Sequence, residues 1–304
     1  MFLFLGACTN HDVEWEEEIG RHINFRSAIS SRAVVSEVGD LSVFEVWAWR
    51  KHSDGSIINV FQDDKVYSTG GGWTYNNTKY WHKFNTYDFY ALYPDTLTDV
   101  SYSNEGKLSI ERLNIRQSDE YNNALVMDLM RAENEGIETG DTPPQFVNLT
   151  FTHMLTNINI ELKKHINNAN DVMEVTYILL NGMNCVGSMQ DDVWSLSEPS
   201  YFWDKLDTPQ TLSANASPCF SNVLMLPQVI EENQVTLYVV YSYQQAGGTT
   251  MTKMLETSLP AGEWKAGEKI VYTGTIQVDN SIVFDTPQVE SWGTEQVGGT
   301  IIIQ

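Results

Sequence analysis

Residues 147–162 read VNLTFTHMLTNINIEL, and their apolar positions change phase part way along. Val147, Leu149, Phe151 and Leu155 are odd-numbered; Ile158, Ile160 and Leu162 are even-numbered. Side chains alternate between the two faces of a strand, so a one-residue slip turns the buried face over. The stretch therefore predicts a strand with a bulge or bend near Thr156 and Asn157, after which it packs against a different partner.

The surrounding sequence is β in character, with runs of Val, Ile, Thr, Tyr, Phe and Trp between clusters of Gly, Asn, Asp and Ser. In VTLYVVYSY (235–243), Val235, Leu237, Val239, Tyr241 and Tyr243 share one face. In YDFYALYP (87–94), Tyr87, Phe89, Ala91 and Tyr93 are in phase and Pro94 ends the strand. VFEVWAWRKHSDGSIINVF (43–61) reads as a hairpin whose Asp54-Gly55 supplies the positive-φ turn. The run ENEGIETGDTPP (133–144) reads as a linker. Short strands at regular spacing on either side of it predict an all-β fold of two tandem antiparallel β-sandwich domains. The expected boundaries are 1–22 for a leading segment, 23–145 for the first sandwich and 146–304 for the second. The total of 304 residues suits two domains of roughly 150 residues each.

The net charge of -22 repels phosphate backbones, which argues against nucleic acid as a partner. The chain holds no D-x-D-x-D-G calcium loop, and Asp63-Asp64 and Asp191-Asp192 read as solvated turns. Six histidines, His11, His22, His52, His82, His153 and His165, form no H-E-x-x-H motif and flank no recognisable nucleophile. His153 lies on the apolar phase of its strand and reads as a buried, hydrogen-bonded core residue. The run Gly70-Gly71-Gly72 lacks the Gly-Lys-Ser/Thr of a phosphate-binding loop. These readings predict no catalytic residues, no metal and no cofactor, and a protein that is not an enzyme. Two aromatic groups, Trp73, Tyr75, Tyr80 and Trp81, and Tyr201, Phe202 and Trp203, read either as core or as platforms for stacking sugars. Cys185 and Cys219 are either a disulfide or two buried small apolar residues.

The chain opens MFLFLGACTNHD. Phe2-Leu3-Phe4-Leu5 shows no alternation and is followed by small residues, the pattern of a secretory apolar segment, against the alternative of a buried first strand. Leu5-Gly6-Ala7-Cys8 resembles the bacterial lipobox, which implies lipidation of Cys8 and an anchor in the outer membrane. No Lys or Arg precedes the apolar run, which predicts that translation starts upstream. The acidic EWEEEIG (14–20) reads as a spacer between lipid and fold.

WTYNNTKYWHKFNTYDFYALYP (73–94), VNLTFTHMLTNINIEL (147–162), MLPQ (225–228) and EWKAGEKIVYTGTIQV (263–278) stand in the order seen in fimbrillin-like proteins, which the chain resembles over most of residues 23–304. The resemblance implies transthyretin-like sandwiches, export as a lipoprotein, and trimming after an arginine that frees the first strand. It also implies that a strand of a neighbouring pilin subunit fills the vacated groove, in a fimbria acting in adhesion. In INFRSAISSRAVV (23–35), Ile23, Phe25 and Ile29 form one phase of a strand with a weak position at Ser27, and Arg32-Ala33 follows in a Ser-rich stretch suited to proteolysis. The donor strand would be QVGGTIIIQ (296–304), with Val297, Ile301 and Ile303 in phase, unless that tail completes its own sandwich. The alternative function is a surface glycan-binding lipoprotein that does not polymerise. The receptor is not legible in the sequence.

Overall fold

In a computed structural model of the protein, residues 18–29, 41–116, 128–165, 171–277 and 279–292 are described, and among them no helix occurs. The strands in chain order are β1 (Glu18–His22), β2 (Phe25–Ile29), β3 (Val43–His52), β4 (Ile57–Ser68), β5 (Trp73–Tyr75), β6 (Tyr80–His82), β7 (Asn85–Tyr93), β8 (Val100–Tyr102), β9 (Leu108–Asn114), β10 (Met130–Glu138) and β11 (Val147–His153). They continue as β12 (Thr156–Lys164), β13 (Val172–Gln190), β14 (Val193–Thr211), β15 (Ser217–Met225), β16 (Gln228–Ile230), β17 (Thr236–Gln244), β18 (Thr250–Ser258), β19 (Gly262–Trp264), β20 (Glu268–Ile276), β21 (Ile282–Phe284) and β22 (Gln288–Ser291).

The phase change in 147–162 marks a hand-over between sheets. β11 buries every second residue, Val147, Leu149, Phe151 and His153. Met154 and Leu155 then leave the ladder, and β12 begins in another sheet. The break falls just before the expected Thr156: the last bond along β10, from the Met154 amide to the Leu129 carbonyl at 2.8 Å, is followed by a bend at Leu155.

The first sheet has seven strands in the order β2-β11-β10-β7-β3-β4-β5. Its two edges curl back towards each other. The Tyr75 hydroxyl of β5 donates to the Ile23 carbonyl just before β2 at 2.7 Å. The curl encloses a core that includes Phe25, Phe44, Phe61, Phe89 and Phe151. The short β1–β6 pair sets Trp81 and Ile19 against the same core.

The second core draws on two further sheets. One runs β15-β12-β20-β21, with β22 also on β20; the other runs β18-β17-β13-β9-β8, with β14 also on β13. The middle of the first sheet is buried on both faces. In β7, Tyr87, Phe89 and Ala91 face the first core while Tyr90 and Leu92 face the second.

Several expectations are corrected here. The sheets are not wholly antiparallel: β2 pairs parallel with β11, and β12 parallel with β20. Long crossovers separate the members of each pair, which is what parallel pairing requires. The run 133–144 is not all linker, since β10 extends to Glu138. Ile137 pairs with Tyr87 and the Gly136 amide donates to Asp88 Oδ1 at 2.7 Å, so the polar run still closes a ladder. The acidic spacer is not all spacer either, because Glu18–His22 pairs with β6 and Ile19 packs on the first core. Strands β8 and β9, from before residue 145, lie in the sheet with β13, and β11, from after it, lies in the first sheet. The 43–61 hairpin forms as read, with Gly55 at φ 88° and the His52 amide donating to the Ser56 carbonyl at 2.9 Å.

Candidate functional site

β2 lies at the edge of the first sheet and is laddered on one side only, to β11, in a parallel register from Phe25–Val147 to Ile29–Phe151. Its entry is fixed from both sides. The Ile23 amide donates to the Lys79 carbonyl at 3.0 Å, and the Val147 amide donates to the Asn24 carbonyl at 2.7 Å. Arg21 Nη1 donates to the Pro143 carbonyl at 2.9 Å.

The inward phase supplies the anchoring. Ile23 is 0% and Phe25 2% exposed. The Phe25 ring meets Phe44, Phe61, Tyr75 and Phe89 edge to face, at centroid distances of 6.2, 5.5, 5.8 and 6.0 Å. Fully burying such a side chain stabilises by about 1.5–3 kcal/mol, and each well-placed aromatic pair adds about 0.5–1.5 kcal/mol. Burial pushes the Tyr75 phenol up, which keeps it protonated as the donor to Ile23. On the outward phase, the Arg26 guanidinium lies 3.8 Å from the centroid of the Phe146 ring.

The next inward position is different. Ser27 pairs with Leu149, and its Oγ is buried without a hydrogen-bond partner among the described residues. An unsatisfied buried hydroxyl costs about 1–3 kcal/mol. β2 is therefore a strand anchored hard at its start and weakly at its middle. Lifting it away would expose the β11 edge and an aromatic-lined groove.

The other expected site residues fall as follows. Cys8, Arg32, Ala33, Val297, Ile301 and Ile303 lie outside the described residues. Cys185 and Cys219 are free and buried, so they are not a disulfide, and burial pushes each thiol up to about 12. Trp73, Tyr75 and Trp81 belong to or pack on the first core rather than forming a platform. Phe202 is buried, while Tyr201 is 41% exposed. His153 is a buried core histidine, with Nδ1 2.8 Å from Asp128 Oδ1 and its ring stacked on Trp292 at 3.8 Å. Neither Asp128 nor Trp292 was singled out by the sequence, since each is brought to His153 from a distant part of the chain.

The sequence profile of the fimbrillin-like family matches residues 31–292. A fimbrial protein from Bacteroides vulgatus has a similar structure, with TM-score 0.69 and 19% identity over 90% of this chain and 99% of that one. A candidate cell adhesion protein from Bacteroides ovatus is similar at TM-score 0.55 and 13% identity, covering 91% of this chain and 99% of that one. Another, from Bacteroides uniformis, is similar at TM-score 0.50 and 15% identity, covering 89% and 98%. At these identities the likeness is one of fold. No match was found among curated proteins. With a family profile spanning most of its length and an all-β fold shared with these structures, the chain belongs to the fimbrillin-like family.

Proposed function

We propose that this chain is a subunit of a bacterial surface fimbria acting in adhesion, and that β2 occupies a groove meant for a strand of a neighbouring subunit. The observation that carries the reading is β2 itself. It is an edge strand held by a few apolar side chains, it ends just before the Ser-rich stretch with Arg32, and its Ser27 hydroxyl is buried without a partner among the described residues. A strand that replaced it with an apolar residue opposite Leu149 would keep the ladder and remove that penalty. Family membership supports the same reading.

In this reading the protein reaches the cell surface as an outer-membrane lipoprotein acylated at Cys8. A trypsin-like protease cuts between Arg32 and Ala33, and β2 departs. The partners are other pilin subunits, and the donor is the tail carrying Val297, Ile301 and Ile303. A head-to-tail contact of this kind does not close on itself, so it builds a filament. The protein acts by assembly and has no catalytic step. Trypsin treatment of the purified full chain, followed by electron microscopy, tests the reading. Trimmed protein is expected to polymerise, whereas Arg32→Ala protein and protein lacking residues 297–304 stay monomeric. Arg32→Ala protein that assembles as readily as the wild type would remove cleavage there as the trigger.

A further inference from the structure

A cavity of about 470 Å³ lies at the end of β11, where the β10–β11 pair, the β13–β14 turn and the end of β22 meet. Its size is that of small-ligand sites. We propose that it binds a saccharide ring, and that it does so independently of any strand exchange.

The walls are of two kinds. Trp194 and Trp292 contribute two indole rings, and Met189 adds an apolar surface. Trp292 is 4% exposed and is pinned by its stack on His153 at 3.8 Å and 12°. His153 is in turn held by Asp128, both side chains being 1% exposed. The indole is therefore fixed before any ligand arrives, which lowers the ordering cost of binding. Its Nε1–H is buried and has no hydrogen-bond partner among the described residues.

The polar wall offers donors and an acceptor side by side. Arg131 Nη1 donates to Asp192 Oδ1 at 3.0 Å, and Asp192 also accepts from Lys107 Nζ at 3.1 Å and from the Leu108 amide at 3.2 Å. A guanidinium has five N–H groups in a fixed fork, so Arg131 keeps donors beyond this one. Vicinal hydroxyls of a sugar both donate and accept, which matches a carboxylate beside a guanidinium. The apolar C–H face of the same ring matches an indole. A purely apolar ligand would leave the ion pair unserved, and a nucleic-acid phosphate would meet the field of a chain carrying net charge -22. Two cations around one carboxylate make this spot the exception to that field, so a sugar carrying a carboxylate is accommodated as well as a neutral one.

The test is titration of the untrimmed full chain with D-glucose, D-galactose, N-acetyl-D-glucosamine and N-acetylneuraminic acid, read by saturation-transfer NMR and tryptophan fluorescence. At least one sugar is expected to bind with a Kd on the order of 1 mM, the range of a single ring. Trp194→Ala and Arg131→Gln should each weaken that binding by about tenfold, with the far-ultraviolet spectrum unchanged. No binding by any of the four sugars, or binding untouched by Trp194→Ala, overturns the proposal. Binding that appears only after deletion of residues 293–304 also overturns it, since the cavity would then belong to the chain's own tail. None of these readings depends on polymerisation, so either proposal can fail alone.

Discussion

Truncating Phe25 to Ala removes the ring that ties β2 to four aromatic neighbours at 5.5–6.2 Å. Large-to-small changes of a buried Phe cost about 3–5 kcal/mol. The neighbours Phe44, Phe61 and Phe89 are 0% exposed and belong to strands laddered on both sides, so they cannot collapse into the space. A loss of at least about 3 kcal/mol is expected. The loss falls on a strand laddered along one edge, so it is read first as local opening. Arg26 is on the exposed phase of β2, which makes native-state trypsin cleavage at Arg26 the reporter. A loss of about 3 kcal/mol raises the open population roughly a hundredfold, and cleavage should follow when reclosing is fast. If the whole domain feels the loss, the melting temperature falls by about 6–12 °C. Cleavage within about twofold of the wild-type rate, with melting unchanged, would refute the view that Phe25 holds the strand in its groove.

Ser27→Ala removes a buried hydroxyl that has no partner among the described residues and should stabilise the chain by about 1 kcal/mol in urea unfolding; a lower midpoint would show that the hydroxyl is hydrogen-bonded. Burial pushes the Glu45 carboxyl up from 4.5 to about 7, against Lys65 at 3.9 Å and with Asp95 and Asp63 pushing the same way. The fold therefore favours the protonated acid, and this contribution to stability is full below pH 4.5 and lost as pH rises through about 7. Glu45→Gln should match the wild type near pH 4 and exceed it by on the order of 1–3 kcal/mol above pH 8, as measured by urea midpoints across that range; parallel curves would place Glu45 in water. Gly182 sits at φ 102° in the bulge of β13, where an added Cβ would lie 2.3 Å from the Gln234 carbonyl oxygen. Gly182→Ala should cost more than about 2 kcal/mol in thermal unfolding, and a cost below about 0.5 kcal/mol would mean that the β13–β17 corner can shift.

Much of the strand content could be read because period-2 alternation survives wherever one face is buried and the other wet. β11 is the clean case, and its change of phase announced the passage from one core to the other. The same rule misled at 133–144, where Glu, Gly and Thr occupy a strand whose pairing is set by β7 rather than by its own apolar pattern. It was incomplete in β7, where Tyr90 and Leu92 are as buried as the phase that was read, since a strand covered on both sides loses its alternation. Non-local partners were out of reach. Nothing in the sequence joins Tyr75 to Ile23, or Asp128 and Trp292 to His153. Inward Ile23 and Phe25 and the weakness at Ser27 were legible, because they depend on local alternation and residue size. That β2 pairs parallel, and with β11, was not.

The parallel register of β2 on β11 has a mechanical side. Tension applied along the axis of β2 loads the rungs from Phe25–Val147 to Ile29–Phe151 together, in shear, so none can open before the rest. A sideways pull would instead peel them one by one. β11 is joined to β12 by only Met154 and Leu155, with a bend at Leu155, and β12 is itself laid parallel against β20 from Asn157–Lys269 to Lys164–Ile276. A lengthwise load entering at the edge of the first sheet is thus carried by the backbone into the second core across a two-residue link. In the fimbrial role proposed above, that is a path stiff along one direction and compliant across it.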